Sequence, residues 1–267
     1  MDCKRALVET KGNMEEAVTW LREKGIMKAA KKESRIAAEG VCAYAIAGNK
    51  AVVYEVNAET DFVAKNQKFL DLVSEIGNAI LKSDAKNDEE ALEAKTAEGT
   101  VKDLVIAATA TIGEKISLRR INVFTKTDNQ VFGAYSHMGG KIVALSVLDG
   151  NNAEVAKDVC MHVAAMSPKY LDRSKVDADF LASETEILRQ ETLNEGKPEN
   201  IVDKIVVGKV QKMLKTICLV DQMFVKNQDI TVGQYVKDNK SNIVTYIRLE
   251  VGEGIEKRKD DFVAEVM

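Results

Sequence analysis

The chain has 267 residues, of which 45% are hydrophobic and 30% are charged. This length is enough to bury at least one substantial core, with room for two, and this composition indicates a soluble globular protein rather than a disordered one. Aromatic residues make up only 5% of the chain and only two residues are proline, which favours a helix-rich structure over a sandwich of many turns. The net charge of −4 argues against a general nucleic-acid binder, because binding would release few phosphate counterions.

The sequence also bears on the compartment. No apolar run approaches the roughly 20 residues that span a bilayer, and the start, MDCKRALVET, lacks the apolar segment of a signal peptide. We therefore expect a cytoplasmic protein with no membrane partner. The cysteines are widely spaced and include no CxxC pair, which indicates buried free thiols rather than a zinc site or a disulfide framework. They are Cys3, Cys42, Cys160 and Cys218.

The first part of the chain predicts a small helical unit. DCKRALVETKG has room for one short helix, and Asn13 with Glu16 three residues later is typical of a capping box at the start of a second. Gly25 is the predicted end of that helix. IMKAAKKESRIAAEG then indicates a charged helical connector, and its basic run Lys28–Arg35 is more typical of a solvated helix face than of a nucleic-acid site. Two short helices bury little surface, so this unit either packs on the rest of the chain or is incomplete.

From Val41 onward the hydrophobic period changes to that of strands. VCAYAIAGNKAVVYEV predicts a β-hairpin that turns at Gly48-Asn49. A polar link follows, and then apolar residues recur at helical spacing from Phe69 to Ile80, which predicts a helix with one buried face. SDAKNDEEALEAKTAEG is polar and is expected to be exposed. A helix over VKDLVIAATATIGE and a strand over ISLRRINVF are predicted next.

A second copy of the hairpin pattern occurs 91 positions later. The matching residues are Tyr44, Gly48 and Lys50 in the first copy and Tyr135, Gly139 and Lys141 in the second. Both copies are followed by a polar link and a helix. This repetition predicts two related subdomains, each a small sheet backed by helices.

The last part of the chain predicts a helical hairpin and a final strand. One helical pattern stops at Gly196, and Pro198 stands at a position that the start of the next helix tolerates. NIVTYIRLEVGEGIE returns to the alternation of a strand. We therefore expect an α+β protein with three parts: a helical unit over 1–34, a subdomain over 35–130, and a subdomain over 131–267 that carries an antiparallel helical hairpin at about 174–216.

No motif in the chain indicates an enzyme. GxSxG, HExxH and Walker A patterns are missing from the sequence. Of the two histidines, His162 lies among apolar residues of a helix and is most simply a packed or capping imidazole. Gly139-Gly140 lies where a hairpin needs residues that tolerate positive φ. We expect no catalytic residues, no cofactor and no metal site.

The stretch TDFVAKN at Thr60–Asn66 places a phenylalanine behind an acid at the start of a helix. In one interpretation Thr60 or Asp61 caps the helix, and Phe62, seven residues before Phe69, lies on its buried face. In the other interpretation the helix begins later, and an exposed Phe62 marks a contact with a partner. The local pattern fits both interpretations.

The same stretch resembles the signature of bacterial elongation factor Ts, the nucleotide-exchange factor for the GTPase elongation factor Tu. Similar segments follow along nearly the whole chain: DCKRALVETKGNMEEAVTWLREKG, YSHMGGKIVAL, EGKPENIVDKIVVGKV and RLEVGEGIEK. The resemblance implies an amino-terminal domain related to ubiquitin-associated domains, and a helical hairpin that forms a coiled coil. Family members usually have one more helix before MDCKRAL and extend beyond FVAEVM, so we expect both ends of this chain to be shorter.

The resemblance also implies a mechanism. Such proteins bind the GDP-bound GTPase and promote release of the nucleotide, without making bonds. The Asp-Phe pair of the signature reaches into the GTPase domain, where the Phe wedges between helices and disturbs the magnesium site. These roles fall on Asp61 and Phe62, with Thr60 and Val63 positioning them. His137 matches a histidine that faces a second domain of elongation factor Tu.

Two other classes of function stay open. One is a protein-interaction scaffold that leaves nucleotide kinetics unchanged. The other is an RNA-binding translation factor that uses Lys28–Arg35, although no direct nucleic-acid contact is expected from the overall charge.

Overall fold

The computed structural model describes residues 2–256. The predictions about the carboxy-terminal FVAEVM lie outside these residues. The helices are Asp2–Glu9 (α1), Met14–Ala30 (α2), Asp61–Ala64 (α3), Gln67–Lys82 (α4), Asp88–Leu92 (α5), Val101–Ile112 (α6), Ala153–Met166 (α7), Ala178–Asn194 (α8), Glu199–Ile217 (α9) and Val232–Asp238 (α10). The strands are Glu39–Ala47 (β1), Lys50–Ala58 (β2), Lys95–Thr96 (β3), Gly99–Thr100 (β4), Ser117–Thr125 (β5), Gln130–His137 (β6), Ile142–Asp149 (β7), Met223–Phe224 (β8), Asn227–Thr231 (β9) and Asn242–Glu250 (β10). This mixture of helices and small antiparallel sheets confirms the α+β class.

The described residues form two compact units. Those up to Thr125, Ser136–Val143 and those from Leu249 onward make the first unit, and the residues between these segments make the second. In the first unit the strands are ordered β1-β2-β5, so that β2 is central and almost wholly buried.

The helix α4 covers this sheet because its apolar residues repeat at helical spacing. Phe69, Ile76 and Ile80 are all 0% exposed. The hydroxyl of Tyr54 in β2 donates a hydrogen bond to the carbonyl oxygen of Val73 at 2.7 Å. A Cβ at Gly77 would lie only 2.3 Å from that hydroxyl oxygen, so only glycine fits where the helix crosses the strand.

The polar segment before α6 is more buried than its composition suggests. Ala85, Ala91 and Ala94 lie in the core of the first unit. The carboxylate of Asp88 accepts hydrogen bonds from two backbone N–H groups of β5, at 2.9 and 2.7 Å. The expectation of an exposed segment was wrong at these positions, because small alanines between charged residues fit against the sheet while their neighbours stay in water.

The two amino-terminal helices form as predicted, apart from the end of α2. The side chain of Asn13 accepts hydrogen bonds from the backbone of Glu15 and Glu16, as a cap should. The helix does not stop at Gly25 but continues to Ala30. A Cβ at Gly25 would lie 3.7 Å from the Cβ of Ala110, so this glycine lies where α2 packs on α6 rather than at a helix end.

The second unit repeats the arrangement of the first. Its sheet is ordered β10-β7-β6, again with the second strand of a hairpin in the centre and a later strand beside it. The strands β6 and β7 occupy nearly the positions that an offset of 91 from β1 and β2 predicts. The helix α7 packs on this sheet, and a Cβ at Gly133 would lie 2.2 Å from the carbonyl oxygen of Ala156.

The helices α8 and α9 of the second unit pack on each other. The turn between them contains Gly196, whose φ of 73° is the left-handed conformation that ends many helices. Ion pairs join Arg189 to Asp203 at 2.6 Å and Lys209 to Glu195 at 2.7 Å.

His162 and three of the cysteines are buried. His162 is 0% exposed, and its Nε2 lies 2.9 Å from the Oε1 of Gln222, which confirms the packed imidazole. All four cysteines are free thiols. Three of them are buried as predicted, whereas the prediction was wrong for Cys3 on α1, which is exposed.

Candidate functional site

The TDFVAKN segment contains one short helix and ends at the residue that caps the next one. The helix α3 contains only Asp61–Ala64, and α4 begins anew at Gln67, where the side chain of Asn66 accepts a hydrogen bond from the N–H of Lys68 at 2.9 Å. Thr60 has an extended backbone, and its Oγ1 accepts a hydrogen bond from the N–H of Val63 at 3.4 Å. Thr60 is therefore the N-cap of α3, and the seven-residue spacing from Phe62 to Phe69 does not continue one helix face.

Phe62 is the most exposed large apolar side chain of the described residues, with 82% of its surface accessible. Its neighbours on α3 face inward: Ala64 is 5% exposed, and Val63 packs against the core of the first unit. The interpretation of Phe62 as a core residue is therefore wrong. A large apolar group held outward in this way is typical of a binding contact.

Asp61 carries a stable negative charge beside Phe62. Its Oδ2 accepts a hydrogen bond from the Nζ of Lys65 at 2.6 Å. This bond is the main reason why the pKa of Asp61 lies below its usual range, and the positive charge of Lys141 lowers the pKa further. Asp61 is thus ionised at neutral pH.

Two glutamates hold the residues that precede α3. The Oε2 of Glu114, just after α6, accepts hydrogen bonds from the backbone N–H groups of Glu59 and Thr60 at 3.1 and 3.0 Å. Its Oε1 accepts a bond from the hydroxyl of Thr60 at 2.7 Å. In return, the Oε1 of Glu59 accepts a bond from the backbone N–H of Lys115 at 2.6 Å. We call these four bonds the Glu59–Glu114 clamp.

His137 lies at the end of β6, in the turn of the second hairpin. Its side chain is exposed, and the following Met138 has a φ of 48° and is 73% exposed. This turn belongs to the first unit, where the carbonyl oxygen of Gly140 accepts a hydrogen bond from the N–H of Cys42 at 2.7 Å. Through Lys141, the turn lies within electrostatic range of Asp61.

Residues 2–256 contain neither a candidate metal-binding cluster nor a candidate membrane span. No cluster of three or more His, Cys, Asp or Glu side chains there could hold a metal ion. No helix in the same range combines the length and the apolar character that a membrane crossing requires.

Comparison with known proteins gives the family. The family model described as "Elongation factor TS" matches residues 59–253, which include the whole of α3 and the clamp. The chain belongs to the elongation factor Ts family. Elongation factor Ts of Acholeplasma laidlawii is 52% identical, and the match covers all of this chain and 92% of that protein. Elongation factor Ts of Lactiplantibacillus plantarum is 54% identical, with coverage of 100% and 91%. The family resemblance carried by TDFVAKN is thereby confirmed.

No pattern in the sequence indicated the two glutamates of the clamp, Glu59 and Glu114. Glu114 is the last residue of the helix predicted over VKDLVIAATATIGE and has no local signal of its own, and it lies 54 positions from Thr60. A preference for an acid near the start of α3 was recognised, but it was assigned to Asp61. The carboxylate that binds the N–H groups before the helix comes from a different part of the chain.

Proposed function

We propose that this chain promotes the release of GDP from elongation factor Tu in translation elongation, and that Asp61 and Phe62 make the principal contact. Membership of the elongation factor Ts family supports the exchange role and the partner. The observation that carries the assignment of the site is the 82% exposure of Phe62 on a short, clamped helix.

The proposed mechanism is thermodynamic linkage. A factor that binds the nucleotide-free GTPase more tightly than the GDP-bound form must weaken GDP binding by the same factor. Phe62 suits such a contact because an aromatic side chain with two χ angles loses little entropy on entering a pocket. In a GTPase the magnesium ion bridges phosphate and protein oxygens, so an insertion that moves its ligands loosens both. Thr60 and Val63 position the pair, and no covalent bond is made or broken, so the protein is not an enzyme.

His137 is proposed as a second contact with elongation factor Tu. Its exposure and its place in a turn with the exposed Met138 support this role. Two further features are proposed on the family resemblance: a ubiquitin-associated-like character for residues 1–34, and a coiled coil for α8 and α9. The division at 34/35 and 130/131 stays a prediction, as does the cytoplasmic location.

The function is tested by stopped-flow release of a fluorescent GDP analogue from purified elongation factor Tu. Increasing amounts of this chain should accelerate release until the rate saturates, and the Phe62→Ala variant should need more protein and reach a lower rate. An alanine substitution at a contact that dominates an interface typically costs about 2 kcal/mol or more, which corresponds to roughly 30-fold in efficiency.

The same assay separates the alternatives. A complex that forms without any acceleration would indicate a scaffold and would contradict the proposal. Salt-sensitive binding of RNA that depends on Lys28–Arg35, without acceleration of GDP release, would indicate an RNA-binding factor instead.

A further inference from the structure

We infer that Glu114 is a positioning residue for nucleotide exchange: through the Glu59–Glu114 clamp it sets the direction in which Phe62 points from α3. The inference rests on the proposed function of Phe62. Glu114 is proposed to act through Glu59 and Thr60, which directly precede α3, and not by touching the partner pocket or the nucleotide.

The short length of α3 makes an external support necessary. Four residues close about one helical turn, and an isolated turn is unstable because nucleation fixes several dihedral angles for one hydrogen bond. Val63 and Ala64 attach one side of the turn to the core. The exposed side, which carries Phe62, gains no such support from its own contacts.

Glu114 supplies the missing support at the start of the turn. The Thr60 hydroxyl donates to the Oε1 of Glu114 at 2.7 Å, which leaves its oxygen free to accept the N–H of Val63 at 3.4 Å. A hydroxyl that donates and accepts in a chain is oriented, and each bond polarises the next. Glu114 therefore reaches the first turn of α3 through Thr60, as well as binding the two backbone N–H groups before it.

The clamp is reciprocal, which restrains rotation as well as distance. Glu59 precedes α3 and binds the backbone of Lys115, while Glu114 binds the backbone of Glu59 and Thr60. The segment before α3 and the segment after α6 thus each supply a carboxylate that accepts hydrogen bonds from the backbone N–H groups of the other segment. Such charge-assisted bonds are stronger than neutral ones. A single hydrogen bond would let the two segments rotate about it. Bonds accepted by Glu59 in one direction and by Glu114 in the other fix the orientation of the two segments.

The chain that leaves α2 supports the clamp from outside. Arg35 donates to both carboxylate oxygens of Glu59, at 3.3 and 3.4 Å. The Nζ of Lys115 donates to the carbonyl oxygen of Glu33 at 2.5 Å, and that of Lys32 donates to the carbonyl oxygen of Gly113 at 2.5 Å. Residues 32–35 thereby contact both sides of the clamp.

A fixed direction matters because binding must otherwise order the side chain. If α3 frayed, Phe62 would sample many directions, and docking would have to overcome that lost freedom. Loss of the clamp should therefore lower the efficiency of exchange while the core of the first unit, held by Val63, Ala64 and α4, stays folded.

The test is a double-mutant cycle in the stopped-flow GDP-release assay, with the full chain and elongation factor Tu. Glu114→Gln keeps the shape but turns an amide group toward N–H donors, and we expect roughly a tenfold loss of exchange efficiency, the size associated with a hydrogen bond to a charged group. On the Phe62→Ala background, Glu114→Gln should cause no further loss, because the residue acts through Phe62. The matched control is Glu93→Gln, which makes the same charge change at an exposed position outside the clamp and should exchange like the wild type.

A second variant covers the case in which Glu114→Gln does not fold. Thr60→Val removes only the hydroxyl and should reproduce the loss, whereas Thr60→Ser keeps the hydroxyl and should restore exchange. Equal losses from Glu114→Gln with and without Phe62 would show a merely structural role, and wild-type exchange in both Glu114→Gln and Thr60→Val would overturn the inference. Wild-type exchange by Phe62→Ala itself would instead contradict the proposed function, so the two failures are distinguishable.

Discussion

The links that follow the two hairpins begin and end alike but differ in what they contain. After β7, residues 150–152 lead directly into α7, and Asn152 caps that helix by accepting the N–H of Val155. After β2, residues 59–66 contain the extra turn α3 before Asn66 caps α4. The shorter link shows that three residues, which include a glycine and a capping residue, are enough to connect strand to helix. The additional residues of the longer link present Phe62 and contribute almost nothing to the core apart from Val63 and Ala64.

The central strands of the two sheets offer a second comparison. Glu55 in β2 and Ser146 in β7 occupy equivalent positions of the repeat, and both are 0% exposed. Glu55 accepts hydrogen bonds from the Nε of Arg120 at 2.8 Å and from the backbone N–H of Gly252 at 2.6 Å. Ser146 donates one bond to the carbonyl oxygen of Ala156 at 3.1 Å. Equivalent buried positions are thus stabilised by an ionic network in one unit and by a single hydroxyl in the other.

The largest expected effect separates Phe69 from Phe62. Phe69→Ala should lower the free energy of unfolding by about 3–5 kcal/mol, because it removes a buried ring and leaves a cavity. Phe62→Ala should change it by no more than about 0.5 kcal/mol, because the ring is mostly in water. Urea unfolding followed through Trp20, the only tryptophan, measures both in the first unit. Similar losses of stability in the two variants would indicate that Phe62 is a core residue.

The next effect compares Glu55 with Ser146. Glu55→Ala should destabilise the first unit by about 3 kcal/mol, at the low end for a broken buried ion pair, because Arg120 keeps a pair with Glu253 at 2.7 Å. Ser146→Ala should cost the second unit only about 1 kcal/mol. Far-ultraviolet circular dichroism during urea unfolding checks both variants. A loss for Ser146→Ala as large as that for Glu55→Ala would contradict the comparison.

A pH effect is expected in the second unit. Burial lowers the pKa of His162 from its ordinary value of 6.5, and its Nδ1 accepts the N–H of Val225 at 3.3 Å. The unfolded chain therefore binds a proton more readily than the folded one. The stabilisation is complete above the unfolded pKa, near 6.5, and is lost as the pH falls through this value toward the lower folded pKa. Hydrogen exchange of the Val225 amide, measured from pH 7.5 down to pH 5, should show falling protection once known intrinsic exchange rates are taken into account.

The control for this pH effect is His162→Gln, which cannot titrate. The opening free energy of the Val225 amide should then be nearly independent of pH in this range. A pH dependence that is unchanged in His162→Gln would assign the effect to another group.

The smallest expected effect on stability comes from Asp61→Asn. Its carboxylate is solvated and forms an ion pair with Lys65, and exposed pairs of this kind contribute little, so the melting temperature should stay that of the wild type. Exchange should fall, but less than in Phe62→Ala. Lys65→Met breaks the same pair while it keeps the charge of Asp61 and should exchange nearly as the wild type does. Exchange at the wild-type rate by Asp61→Asn would show that the charge of Asp61 does not contribute to the mechanism.

Features that depend on near neighbours were predictable. The hairpin turns at Gly48 and Gly139, the cap at Asn13 and the helix end at Gly196 each follow from the conformational or hydrogen-bonding preferences of one or two residues. Gly25 shows the limit of such reasoning. A glycine in a helix pattern indicates an end when considered locally, but here it lies where α2 packs on α6.

The sequence by itself determined the α+β class, the repeated hairpins, the family and the segment in which function is expected. Only the tertiary structure decided whether Phe62 is buried or presented. The local sequence, including the spacing from Phe62 to Phe69, is compatible with a buried or an exposed Phe62. In both cases Thr60 or Asp61 caps a helical turn at the same position. Phe62 is exposed because Val63 and Ala64 pack against the core of the first unit. The carboxylate of Glu114, 54 positions from Thr60, binds the backbone that precedes α3. Hydrogen bonds between such distant residues form only when the whole first unit folds, so no local pattern can encode them.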